Sequence, residues 1–533
     1  MKISAIFISI LFMFLWVIPP AAAHAAALLF IPLDDRPVCR DYVIDTAEKA
    51  GFTVLTPPAE WLASRGRLGQ ADKLWQWLEE NWSQADYAVI AADSLIYGGL
   101  VDSRVHHLDY SLLASRVERF AKLKEQNPAI RVYVFSTIMR SPKVSLGGVE
   151  PSYYETYGRQ IFKLTALSDK EVVKGLSGPE RQTLQELVRS VPAEYLRDWL
   201  DRRTKNMMVN EDLVDLLRDG TIDYLIVGRD DSATFSQSHR EWRLLKQKTT
   251  DLSISQFQSF PGADQLAMVL VARSYNDREG KLPIVQTIYT PGVGGNTIPA
   301  YEDQPARATI DGHVVAAGGI VLPQPQKPDL ALLVNTPEDG HTREASDGEN
   351  GLALSEEKGA FVDEVKQRVA QKEPVALADI AFANGSDNAL MLSLEKNQLL
   401  PALTAYAGWN TASNTVGYAI GQGMMAPSMT PAARRDLLAV RYLDEWAYQA
   451  NLRDELMDYF FAHDERAIQF LDRHLLSVTK EAAQQEQDFA KEHFAWVNPQ
   501  RVQVSFPWNR LFEIAVSLDS DTSQIGKIKQ AAR

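Results

Sequence analysis

Nine short, mostly apolar runs separated by amphipathic segments constrain this fold more than any other feature of the chain. They are Leu28–Leu33, Phe52–Leu55, Tyr87–Ala91, Arg131–Ser136, Tyr224–Val227, Ile284–Ile288, Leu330–Val334, Val375–Ile380 and Leu403–Ala405. Apolar runs without polar alternation suit strands buried on both faces. Helical patterns such as Ala71–Trp82, Ser111–Gln126, Ala263–Tyr275 and Glu356–Gln371 lie between them. That alternation predicts an α/β fold with a mainly parallel sheet and helices outside it. A (β/α)-barrel-like arrangement is expected, with two doubly wound α/β domains as the alternative. The strands outnumber those of a closed barrel, so in a barrel some would lie outside it.

A chain of 533 residues exceeds one ordinary core. Residues 26–425 carry the strand–helix rhythm. Residues 151–219 interrupt it with helical patterns only and are expected to form an insertion, with a lid as one role. Residues 426–533 form a mostly helical C-terminal unit, with Pro431–Phe461 and Asp464–Phe494 as helices and a final strand within Arg501–Leu518. The N-terminus has the form of a signal peptide over residues 1–25. Lys2 precedes an apolar run from Ile3 to Ile18, and small residues around Ala21, Ala23 and Ala25 supply a cleavage pattern. A bacterial, extracytoplasmic protein with no stable membrane span after signal removal is the expectation.

The formal charge of −14 argues against nucleic-acid partners, which need clustered Lys and Arg. Cys39 is the sole cysteine, so an intrachain disulfide and multi-cysteine zinc sites are excluded. The chain contains no G-x-S-x-G, no P-loop and no H-E-x-x-H. Gly421-x-Gly423-x-x-Ala426 matches a dinucleotide fingerprint in spelling alone, because no strand precedes it.

Polar groups gather where strands end, the edge at which α/β folds build sites. The first run leads to Asp34, Asp35 and Arg36, and the third to Asp93, Tyr97 and Arg104. Arg140 follows the fourth run, and Arg229, Asp230 and Asp231 follow the fifth. The last two lead to Asp379, Asn384 and Asp387, and to Trp409, Asn410 and Asn414. Helix capping explains any one such cluster, but Ser238-x-x-Glu241 offers the following helix its own capping box and frees Asp230 and Asp231. Adjacent carboxylates suit acid/base work, since one can stay protonated beside an ionised neighbour.

The motifs IPLDDRPVCRDY (31–42), AADSLIYGGLVDSR (91–104), VGRDDSA (227–233), PGADQLAMVLVAR (261–273), ADIAFANGSDNAL (378–390) and YAGWNTASNTVG (406–417) resemble the bacterial domain of unknown function 4127 family. The resemblance spans nearly all of the chain beyond the signal region and implies an exported protein, but carries no reaction. Cys39 and Phe382 depart from it, where a polar residue and Tyr are expected.

The residues themselves point to an exported hydrolase of glycosidic, including N-acetylated, carbohydrate, with Asp230 and Asp231 as the acid and positioning pair. The other strand-end residues would bind substrate, their asparagines and arginines gripping hydroxyls or an acidic sugar and Trp409 stacking on a ring. No cofactor is expected. A divalent-metal hydrolase using the same carboxylates and a non-enzymatic extracellular binding protein are the alternatives.

Overall fold

A computed structural model of the chain describes residues 25–143, 148–462, 464 and 468–519. The signal-peptide expectation therefore falls almost wholly outside the described residues. The first sheet contains β1 (Ala27–Ile31), β2 (Thr53–Leu55), β3 (Tyr87–Ala91), β4 (Arg131–Ile138), β5 (Tyr224–Arg229) and β6 (Phe257–Gln258). Its order is β2-β1-β3-β4-β5-β6, all parallel. The second contains β7 (Ile284–Tyr289), β8 (Ile320–Val321) and β9 (Leu330–Asn335). After the short β10 (Arg343–Glu344) it continues with β11 (Val375–Asp379), and after β12 (Phe382–Ala383) with β13 (Ala405–Ala407). Its order is β13-β11-β9-β7-β8, again all parallel.

The α/β class and the parallel sheets are as expected. Counting each sheet's strands in chain order, both contain the sequence 2-1-3-4-5 that characterises doubly wound sheets. No pairing among the described residues closes either sheet on itself, so the strand order follows the doubly wound alternative.

The reason the strands read as unbroken apolar runs is visible in β1. Leu28 and Phe30 face one core while Leu29 and Ile31 face another, so every position is apolar. The outer core of the first sheet is closed by the helices Ala71–Asn81, Tyr110–Gln126 and Ala193–Arg218. The last lies within residues 151–219. Its Val209, Leu213, Val214 and Leu217 are core residues, so this helix is part of the scaffold rather than a lid.

Two buried helices join the sheets. Helix Leu266–Glu279 packs on β3 and β4 and against helix Ala412–Met425, which lies on β9, β11 and β13. Their approach depends on glycine. A methyl group on Gly417 would lie 2.3 Å from Gln265 Cγ, and one on Gly421 2.5 Å from Met268 Cγ. The Gly421-x-Gly423 spelling thus serves helix packing in mid-helix.

At the C-terminus, Pro431–Tyr442 runs through a π-helical stretch, Leu443–Leu452, into Arg453–Phe461. Within the expected helix Asp464–Phe494, the residues Leu475–His493 form a helix. Instead of one final strand, β14 (Val502–Ser505) and β15 (Ala515–Leu518) form an antiparallel hairpin. Among the described residues no helix is long and apolar enough to cross a membrane.

Candidate functional site

The carboxyl edges of both sheets open onto one cavity of about 340 Å³. The first sheet contributes Arg36 after β1, Arg104 after β3, Arg140 after β4, Asp230 and Asp231 after β5, and Asp264 after β6. Neighbouring strands β1 and β3 splay their connections apart here, the topological switch point where open α/β sheets bind ligands. The second sheet contributes Tyr301, Asn384, Asn410 and Asn414. The loop of the C-terminal hairpin closes the remaining side with Trp508, Arg510 and Phe512.

Charge in the wall is arranged in pairs. Arg36 is a double fork, with Nη2 at 2.7 Å from Asp34 and 2.6 Å from Asp264. Arg104 Nη2 donates to Asp230 at 2.5 Å. Arg140 donates from Nη1 to Asp231 at 3.0 Å and from Nε to Glu150 at 2.6 Å. Burial pushes the Asp231 carboxyl up to about 6, helped by the charge of Asp230 and opposed by Arg140 and Arg104. Burial also raises Asp264, against the pull of Arg36. Asp93 lies behind the wall with 1 % of its surface exposed. Burial drives it up to about 7 despite the Thr137 hydroxyl donating to it at 3.0 Å.

Backbone strain collects here. Asp231 (φ 33°), Tyr301 (φ 66°), Asn384 (φ 59°) and Asn410 (φ 61°) all adopt left-handed conformations. Asparagine and aspartate visit this region more readily than other non-glycine residues; tyrosine does so at a cost of about 1–3 kcal/mol. The strained segments hold one another. Ser232 N–H donates to Tyr301 O at 2.9 Å, and Asn384 N–H to Asn410 O at 2.8 Å.

Of the residues expected to form a site, Arg36, Arg104, Asp230, Asp231, Asn384, Asn410 and Asn414 line this cavity. The others do not. Asp34 and Asp93 are buried supports, and Asp35 anchors Trp508, whose Nε1–H donates to it at 2.7 Å. Tyr97 is buried and stacks on His106 with ring centroids 5.0 Å apart. Arg229 is fully buried beside Asp303, at 2.7 Å. Asp379 and Asp387 form a separate buried cluster with Asn335, in which Lys358 meets Asp387 at 2.6 Å. Asp387 also caps helix Asn388–Lys396. Trp409 packs in the core against Phe512, centroids 6.3 Å apart, and presents no stacking surface.

The capping box expected at Ser238 does not form. The N-cap of helix Gln237–Lys248 is Ser236, whose hydroxyl accepts from His239 N–H, and Glu241 instead holds Arg203. The aspartates remain free of capping, since the true cap is also downstream of them.

Sequence reasoning overlooked Asp264, Glu150, Tyr301, Trp508, Arg510 and Phe512. Asp264 was within reach, inside the PGADQ motif, but its partner Arg36 is 228 positions away. Among the described residues no group of three or more His, Cys, Asp or Glu is placed to hold a metal ion. The cavity's own carboxylates each face a guanidinium instead.

A family model described as "Protein of unknown function (DUF4127)" matches residues 28–517, nearly the whole chain. No curated protein matches it.

Proposed function

From a chain that belongs to the DUF4127 family of proteins of unknown function, we propose a hydrolase that cleaves a glycosidic bond, with Asp231 as proton donor and Asp230 as positioning group. One observation carries this reading: two adjacent carboxyls are held in different ways. Asp230 is pinned by Arg104 at 2.5 Å, while Asp231 is raised to about 6 and keeps 29 % of its side chain open to the cavity. An acid of that strength holds a useful fraction of its protons near neutrality and can release them to a leaving oxygen. In this scheme the proton passes from Asp231 to the glycosidic oxygen as the bond to the anomeric carbon breaks. Asp230 orients the neighbouring substituent, and an acetamido group there would supply its own carbonyl oxygen as nucleophile.

The amides of Asn384, Asn410 and Asn414 suit the hydroxyls of a sugar ring. The arginines support a neutral ring over an acidic one, because each already holds a carboxylate. Paired guanidiniums also weaken the metal-dependent alternative, since a cation would have to displace them. The apolar N-terminal segment supports export.

The test is turnover of a panel of chromogenic glycosides by the wild type and by Asp231→Asn. The expected result is a loss of about 10²–10⁴-fold in the variant. Equal turnover by both proteins would refute the assignment of Asp231, and no turnover of any glycoside by the wild type would remove the glycosidase reading.

A further inference from the structure

Glu150 stands outside the cavity lining and belongs to no motif, yet it touches the chemistry of both aspartates. Its side chain is 2 % exposed. It lies between two arginines, with Oε1 at 2.6 Å from Arg140 Nε and 3.6 Å from Arg104 Nη1. Each arginine then continues to one aspartate, Arg104 to Asp230 at 2.5 Å and Arg140 to Asp231 at 3.0 Å. Asp230 and Asp231 are joined through the backbone, so the five residues close a ring in which acid and base alternate except at that one bond. The contacts are uneven. Arg140 is nearer to Glu150 than to Asp231, whereas Arg104 is nearer to Asp230 than to Glu150. Two atoms of the ring, Glu150 Oε2 and Arg104 Nε, are buried with no hydrogen-bond partner. A buried carboxylate with an unsatisfied oxygen is costly to keep. Among the described residues Glu150 is the one hydrogen-bond partner of Arg140 Nε, and Arg104 Nη1 stands farther off at 3.6 Å.

We propose that Glu150 is a positioning residue that divides the two arginines unequally between the aspartates, drawing Arg140 away from Asp231 and leaving Arg104 to Asp230. This rests on the proton-donor reading of Asp231. The charged and titratable groups facing Asp231 are Asp230, Arg140, Arg104 and Tyr301. Glu150 acts through the two arginines. It neutralises part of the positive potential that would otherwise fall on Asp231, and so keeps that carboxyl protonated to higher pH. Without it, Arg140 would serve Asp231 alone, and the acid would ionise earlier.

The test measures Asp231 directly in the full-length protein, without substrate. Carbodiimide and glycinamide label protonated carboxyls, and peptide mass spectrometry follows labelling of Asp231 across pH. Glu150→Gln keeps the shape and removes the charge, whereas Glu150→Asp keeps the charge. The expected midpoint for Asp231 falls by about one pH unit in Glu150→Gln and stays near the wild-type value in Glu150→Asp. The descending limb of any glycosidase pH profile should move by the same amount. A midpoint unchanged or raised in Glu150→Gln would overturn the proposal. So would equal shifts in both variants, the signature of a merely structural role. If Glu150→Gln does not fold, Glu150→Ala removes the same charge and is read in its place: a midpoint lowered by about one pH unit supports the proposal, and one unchanged or raised overturns it. Labelling needs no turnover, so it can fail while the glycosidase assay succeeds, or succeed while that assay fails.

Discussion

Replacing the proposed acid should make the protein more stable, and the structure sets the size of the gain. Asp231 rises from an ordinary 3.8 to about 6, a net of burial and the Asp230 charge over the pull of Arg140 and Arg104. A carboxyl raised on folding binds its proton more tightly in the native state than in the unfolded one. Its contribution to stability is therefore full below pH 3.8, declines as pH rises to about 6, and is wholly lost above that. A shift of about two units corresponds to about 3 kcal/mol. Water reaching the open 29 % of the side chain screens this, so about 1–3 kcal/mol is expected. Asp231→Asn removes the charge and keeps the shape. Asparagine, like aspartate, is tolerated at the left-handed φ of 33°, and Arg140 retains Glu150 at 2.6 Å. Urea unfolding followed by tryptophan fluorescence at pH 4 and pH 8 checks this. The variant should match the wild type at pH 4 and exceed it by about 1–3 kcal/mol at pH 8. A variant less stable than the wild type at pH 8, or a difference independent of pH, would refute the reasoning.

Asp303→Ala should do the opposite. It strips Arg229, fully buried, of a two-pronged partner at 3.0 and 2.7 Å and leaves Gln304 at 2.8 Å. Such a break costs about 3–5 kcal/mol, and a loss below about 1 kcal/mol in urea unfolding would show the pair to be dispensable. Dialysis against EDTA should leave turnover and melting temperature unchanged, and a fall in either that added divalent cation restores would revive the metal-dependent alternative.

The strands were legible because a strand buried on both faces has no polar position to confuse the pattern. Tyr87–Ala91 coincides with its apolar run, and β1, β5, β9 and β11 differ from theirs by a residue or two at the ends. The two-residue strands β6, β8, β10 and β12 were not, since so short a segment becomes a strand only through its neighbour. The charged half of the cavity was legible in part, through Arg36, Arg104, Asp230 and Asp231 at strand ends. What escaped was pairing. Nothing near Asp264 announces Arg36, and nothing near Trp508 announces Asp35, 473 positions earlier. Trp409 and Asp387 show the converse. Polar or aromatic residues at strand ends look alike whether they face a cavity, cap a helix or fill the core, and only the packing separates them.

The glycine contact between helices Leu266–Glu279 and Ala412–Met425 has a bearing on how a substrate enters. Gln265 and Met268 press against Gly417 and Gly421 with no room for a single methyl group. Each of these helices lies on a different sheet, so the contact acts as a weld rather than a hinge. The gap between the two carboxyl edges is then a fixed gauge. A ligand must match it, and the hairpin loop that carries Trp508 and Phe512 borders the cavity away from the seam between the sheets.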